Sequence, residues 1–153
     1  SQLCAGGHRR ILRLGNVSSR DDGWKAAREH FSGTVEFSHL PVQPECEVAA
    51  ELGGRIFAGR PDAVFCDTDR AASGVLRAAA AAGLSVPADF SLVGFDDDPM
   101  ASMLTPRLSS VSHPLDELNA AAVAIVSSGQ SVKAADQSFP ARFVLRESVK
   151  TRN

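Results

Sequence analysis

The sequence predicts an α/β fold in three layers, a parallel sheet flanked by helices in the Rossmann-like manner. Short apolar runs alternate with segments of helical spacing, and Gly, Pro, Asn or Asp punctuates the joins. Arg10–Leu14 reads as a first strand, closed by Gly15-Asn16. A helix over 21–31 follows, with Trp24, Ala27 and Phe31 on one face at helical spacing. Residues 34–40 form a second strand that stops at Pro41. Residues 46–57 read as one helix, weakened by Gly53 and Gly54. Ala63–Cys66 is a short third strand. An alanine-rich helix over 70–82 follows, with Gly83 placed to end it. Residues 90–95 make the fourth strand. This order implies right-handed crossovers and a sheet buried on both faces. Beyond Asp98 the pattern loosens. An irregular stretch over 99–107 precedes a strand at Ser109–Ser112 and a helix over 114–126 that starts on a proline. A polar, mobile loop over 127–137, a last strand over 139–147 and a tail complete the chain.

A chain of 153 residues fits one domain with a real core. Its formal net charge is −2 with both signs mixed, so DNA contact by this chain is not expected. No apolar run approaches the roughly 18 residues of a membrane helix. The start, SQLCAGGHRR, lacks the apolar centre of a secretory signal. Cys4, Cys46 and Cys66 are odd in number and widely spaced, which fits neither a disulfide framework nor a zinc site. The four histidines, His8, His30, His39 and His113, show no ligand spacing. No cofactor, no metal and no membrane partner are expected, and the compartment reads as cytoplasmic.

Ligands of open parallel sheets bind outside the carboxyl ends of the strands. Three polar groups fall there: Asn16, Ser18, Ser19 and Arg20 after the first strand, Asp67, Thr68 and Asp69 after the third, and Asp96, Asp97 and Asp98 after the fourth. An arginine facing carboxylates, with hydroxyls and an amide between, suits a neutral polyhydroxylated ligand, because each hydroxyl both donates and accepts. Plainer roles compete. Thr68 or Asp69 serves equally as the N-cap of the next helix. The three aspartates suit a solvated turn, with Asp96, nearest the strand end, the best ligand candidate. Arg20 sits at a helix start, where a cation opposes the dipole, and that mismatch favours a functional role.

These residues resemble the LacI/GalR family of bacterial repressors. GHRRI (7–11), Arg20 with Gly23 after it, PDAVFCDTDRAASGVLRAAAAAGLSVPADFSLVGFDD (61–97), LTPRLSSVSHP (104–114) and FVLRES (143–148) stand in the family's order. The resemblance covers nearly the whole chain, and the block over 61–97 is its specific part. It implies one lobe of a periplasmic-binding-protein-like type I domain, whose effector sits in the cleft between two lobes. Residues 1–112 would form the C-terminal lobe. Residues 113–128 would form a crossover helix packed on an N-terminal lobe, and residues 129–153 a loop, returning strand and tail. Arg20 matches the family arginine that holds effector hydroxyls, and Asp96 the carboxylate that does the same. Thr68 stands where asparagine is usual, so the pocket departs from the family's pattern there. Residues 44–46 hold no counterpart of the aromatic that often lines the cleft.

The implied function is effector sensing for a transcriptional repressor that lacks its helix-turn-helix here. Arg20, Thr68, Asp96, Asp69 and Asn16 would contact a small polar effector, a sugar by preference. Operator DNA would be met only through the N-terminal domain. A sugar receptor of an uptake system shares the fold and is the alternative. A phosphatase of the haloacid-dehalogenase type is a third reading, since Asp67-Thr68-Asp69 after an apolar strand superficially resembles its nucleophile pair. Ala71 then occupies the place where that motif needs Thr or Val. Leu115, Leu118, Ala122 and Ile125 form an apolar stripe on the crossover helix, so a homodimer is expected.

Overall fold

The computed structural model describes residues 2–43, 45–127 and 139–150. The expected loop over 127–137 lies outside them but for Ser127. Six strands make one sheet in the order β2-β1-β3-β4-β5-β6. These are β1 (Arg10–Leu14), β2 (Glu36–Leu40), β3 (Ala63–Cys66), β4 (Ser91–Asp96), β5 (Ser109–Ser112) and β6 (Arg142–Val144). The first five run parallel, and β6 joins antiparallel through Val111↔Phe143. The helices are α1 (Gln2–Ala5), α2 (Asp21–His30), α3 (Cys46–Glu51), α4 (Gly53–Ala58), α5 (Asp69–Ala81) and α6 (Leu115–Ser127).

Alternation along each strand sorts side chains to two faces. Leu12, Leu14, Val64, Cys66 and Leu92 point to one face and pack on Ala49, Ile56 and the buried side of α5. Ile11 and Ala63 point to the other, beside Cys4, Val35, Trp24, Phe31 and Phe37. A cavity of about 480 Å³ opens on this second face between α1, α2 and the sheet. Burial pushes the Cys66 thiol well above its ordinary pKa, and all three cysteines are free.

Several boundaries differ from expectation for local reasons. The single helix expected over 46–57 is two, broken at Leu52 (φ −91°, ψ 13°) just before the glycine pair. β2 starts at Glu36 because Thr34 is still tied to the preceding helix, its hydroxyl donating to the Phe31 carbonyl at 3.0 Å. Asp69 and Ala81 bound α5. Thr68 is the cap, accepting the Ala71 N–H at 3.1 Å, and Asp69 complements the helix dipole from the first turn. Gly83 follows at φ +69°, a conformation glycine adopts without strain.

The last strand is three residues long instead of nine. From Arg146 the chain leaves the ladder to wedge between β4 and β5. Ser148 is fully buried there. Its hydroxyl donates to the Leu92 carbonyl at 2.6 Å and accepts the Ser109 N–H at 2.8 Å, while its carbonyl accepts Leu92 N–H at 2.8 Å. His8 is equally buried, with Nδ1 2.9 Å from the Leu3 carbonyl and Nε2 2.7 Å from Ser91 Oγ. Thus GHRRI and FVLRES each contribute a staple of the scaffold.

Helices α3 and α5 cross at Gly74, where a Cβ would collide with the carbonyl oxygen of Cys46 and with Ala49. Backbone cannot yield as a flexible side chain does. Gly74→Ala is therefore expected to destabilise the fold by at least the roughly 1–3 kcal/mol of ordinary overpacking. Urea unfolding should show a lower midpoint than that of Gly54→Ala, whose Cβ meets nothing within 4 Å.

Candidate ligand-binding site

The loops leaving β1 and β3 diverge to opposite faces of the sheet, since β2 lies to one side of β1 and β3 to the other. A crevice at the carboxyl rim is the consequence of that switch in strand order. Arg20 ends a 3-10 turn (Ser18–Arg20) on the β1 side and reaches the end of β4. Its Nη2 donates to Asp96 Oδ1 at 3.1 Å, its Nη1 to Ser19 Oγ at 2.8 Å, and its Cζ lies 3.7 Å from the Phe95 ring centroid. Arg20 Nε is buried with no hydrogen-bond partner among the described residues. The expected meeting of Arg20 and Asp96 is thus present in the geometry.

Asp96 has φ +105° and Asp97 φ +56°, both in territory that costs energy for residues with a Cβ. The neighbourhood holds them there. Asp97 N–H donates to Ser110 Oγ at 3.1 Å, Asp98 N–H to Asp69 Oδ2 at 2.8 Å, and Arg146 closes on Asp97 at 2.7 Å as an ion pair. Burial raises the Asp96 pKa, and the charges of Arg20 and His113 partly counter it. His113 stands 3.7 Å from the same Asp96 oxygen, with its ring on Phe95 at 4.8 Å between centroids.

The other predicted residues divide. Asn16 is exposed at the rim, and Thr68 is half-buried with its hydroxyl engaged in capping. Asp69 is 1% exposed, and its two oxygens hold Ser110 Oγ at 2.6 Å and the Asp98 N–H. The structure therefore gives Asp69 the work of fixing the loop that carries Asp96. Burial raises its pKa, against the lowering effect of those two hydrogen bonds. Asp67 is fully buried, and both its oxygens bind Arg13 at 2.8 Å. A nucleophile must meet its substrate, so this placement leaves the phosphatase reading without its first aspartate. Sequence reasoning passed over Arg13, Phe95 and His113. For Arg13 a signal existed, because an arginine inside a strand flanked by apolar neighbours needs a buried partner.

Similarity to known proteins agrees with this geometry. The model of the periplasmic binding protein-like domain matches residues 1–149. A probable HTH-type transcriptional repressor, ExuR, of Bacillus subtilis is 31% identical over 126 residues, which is 74% of this chain and 37% of that protein. A LacI family transcriptional regulator from Arthrobacter sp. FB24, solved in complex with lactose, superposes with a TM-score of 0.84 at 25% identity. That match covers 97% of this chain and 60% of the other. A dimeric Lac repressor gives 0.84 at 26% identity, over 99% of this chain and 58% of the other. The chain belongs to the periplasmic binding protein-like family. Within that family it is a domain of the LacI type, and the relatives named are transcriptional regulators. The match spans 37% of the length of the Bacillus subtilis repressor and 58% to 60% of the two solved regulators. Among the described residues, no helix is long and apolar enough to cross a membrane, and no group of acidic, histidine or cysteine side chains is placed to hold a metal.

Two outcomes follow for the buried charges. Arg13→Met leaves Asp67 buried and unpaired, so it should cost about 3–5 kcal/mol. Arg13→Met with Asp67→Leu should cost less than the single change, and chemical denaturation of both variants checks the order. The raised pKa of Asp69 means that ionising this carboxyl costs more in the folded chain than in the unfolded one. The stability this contributes is fully present below the unfolded-state pKa and is lost as pH rises through the folded one. Asp69→Asn abolishes that loss. Its unfolding free energy relative to the parent should improve between about pH 3 and pH 7, measured by urea titration at both.

Proposed function

We propose that this chain is the effector-sensing part of a bacterial DNA-binding repressor and that its ligand is a small neutral polyol, a sugar by preference. The observation that carries the reading is the Arg20–Asp96 pair, 3.1 Å apart at the carboxyl rim. An ion pair at such an edge offers charged donors and acceptors side by side, which a pair of vicinal hydroxyls matches and water fills only loosely. Asn16 and Thr68 flank the pair as weaker contacts. Asp69 serves from behind, by holding the Asp96 loop. The lactose bound in the Arthrobacter regulator supports a sugar as the first ligand to try.

On this reading the protein works in the cytoplasm, and residues 1–112 are one lobe of a two-lobed sensor. Residues 113–128 carry the helix that packs on the other lobe, and 129–153 return to complete the first. Operator DNA is met through an N-terminal helix-turn-helix. Likeness to repressors favours this over an uptake receptor. Helix α6 has no buried residue in the described chain, and Leu115, Val123 and Val126 are 58%, 64% and 82% exposed. A helix so apolar seeks cover, so a homodimer is part of the proposal.

Half a cleft supplies about half the hydrogen bonds, each worth about 0.5–3 kcal/mol. Calorimetry with lactose and a panel of pentoses and hexoses should therefore find binding to this chain weak, and tighter by orders of magnitude in a two-lobed protein carrying it. Arg20→Ala and Asp96→Asn should each weaken that binding about tenfold or more. Affinity unchanged by Arg20→Ala would overturn the site. Sedimentation at micromolar concentration should show self-association that Leu118→Glu with Val126→Glu removes.

A further inference from the structure

The strands β1 and β3 are already joined by their ladder, and Asp67 N–H adds a bond to the Leu14 carbonyl at 2.9 Å. The Arg13–Asp67 pair is surplus to that pairing. Its bonds run elsewhere. Arg13 Nη2 donates to the Val17 carbonyl at 2.9 Å and Nη1 to Asp21 Oδ1 at 2.6 Å, while Asp67 Oδ2 accepts the Val17 N–H at 2.9 Å. Val17 is thereby gripped at both its N–H and its carbonyl, and Asp21 through its side chain. The turn Ser18–Arg20 is strung between these two anchors. No side chain from the turn itself reaches the anchoring pair, so the turn takes its course from the ends.

The geometry points to Arg13 and Asp67 as positioning residues for ligand recognition, fixing Val17 and Asp21 so that Arg20 is delivered to Asp96. Neither touches the ligand, since Arg13 is 1% exposed and Asp67 is fully buried. Their effect is preorganisation. A long arginine side chain on a loose turn must be ordered when ligand arrives, and that cost is removed when the turn is already fixed. The pair has the geometry for this, because the planar guanidinium presents its donors in a fixed fork that a lysine ammonium lacks. The inference rests on reading Arg20–Asp96 as the ligand site, yet the anchoring of the turn is measurable without any ligand.

Amide hydrogen exchange and the Arg20 Nε–H resonance supply that measurement. Asp21 is 56% exposed, so Asp21→Ala removes one anchor at the surface and leaves the core intact. Exchange at the Arg20 and Asp21 amides, bonded to the Val17 and Ser18 carbonyls, should accelerate about tenfold or more while the amides of β3 and α5 keep their rates. Because Arg20 Nε is buried, its N–H signal should exchange slowly in the parent and fast in the variant. Arg13→Lys should do the same more strongly. Asp96→Asn should free the Arg20 side-chain signal and leave the Arg20 and Asp21 amides protected, which separates the anchor from the target. In the lactose titration, Asp21→Ala should weaken binding about three- to tenfold, and Asp22→Ala should leave it unchanged. Folded Asp21→Ala with 18–21 and Arg20 unaltered would overturn the proposal. So would loosening spread equally over β3 and α5, which would make the pair a general staple. Lactose failing to bind the parent would count against the ligand reading alone, and exchange would still decide the positioning.

Discussion

A guanidinium buried to 1% exposure dictates much of what surrounds it. Its charge cannot be left unmatched in a low dielectric, so a carboxylate must be buried with it and every donor must find an acceptor. Arg13 makes four such bonds, two to Asp67, one to Asp21 and one to the Val17 carbonyl. The bond from Asp67 raises the arginine's pKa further, against the lowering effect of burial, so Arg13 keeps its charge. Satisfying this one ion sets the path of the chain out of β1 and the start of α2, and it removes Asp67 from the solvent-facing rim.

The rim carries five aspartates after β3 and β4, and environment gives them different work. Asp67 neutralises a buried cation. Asp69, without a cation of its own, is held by a hydroxyl and an amide and has its pKa raised. Asp98 caps the following 3-10 turn, accepting Met100 N–H at 3.0 Å, and Asp97 pairs with Arg146. Asp96 alone combines a cation partner with 44% exposure of its side chain. A left-handed backbone turns it toward Arg20, and the buried serine and aspartate behind it hold that conformation.

Most of the scaffold was legible from residue pattern. Strands β1, β3 and β5 have the bounds expected from the sequence, their residues being covered on both faces of the sheet. The break at Leu52 and the shortened β6 were harder to read. The first depends on how two glycines weigh against a helix that also packs on α5. The second depends on Ser148 inserting between β4 and β5, a contact made across more than fifty residues of chain. At the rim, strand ends put Arg20 and Asp96 on one edge, where they meet at 3.1 Å. They could not distinguish Asp69 from Asp96, since exposure is a property of the packed neighbours. Thr68 as the cap was among the open alternatives, and the extended φ of −146° with its hydroxyl on Ala71 decides it.

Unlike burial separates the three thiols. Cys66 lies under the sheet with no exposed surface and a raised pKa, Cys4 is nearly as deep at 6%, and Cys46 stands partly open near Arg77. The reactive species is the thiolate, and only an accessible one meets a reagent. Alkylation in native buffer should thus be fastest at Cys46, and Cys66 should react only when its cover of α5 opens. The mass gained at Cys66 on alkylation therefore counts openings of this face of the sheet.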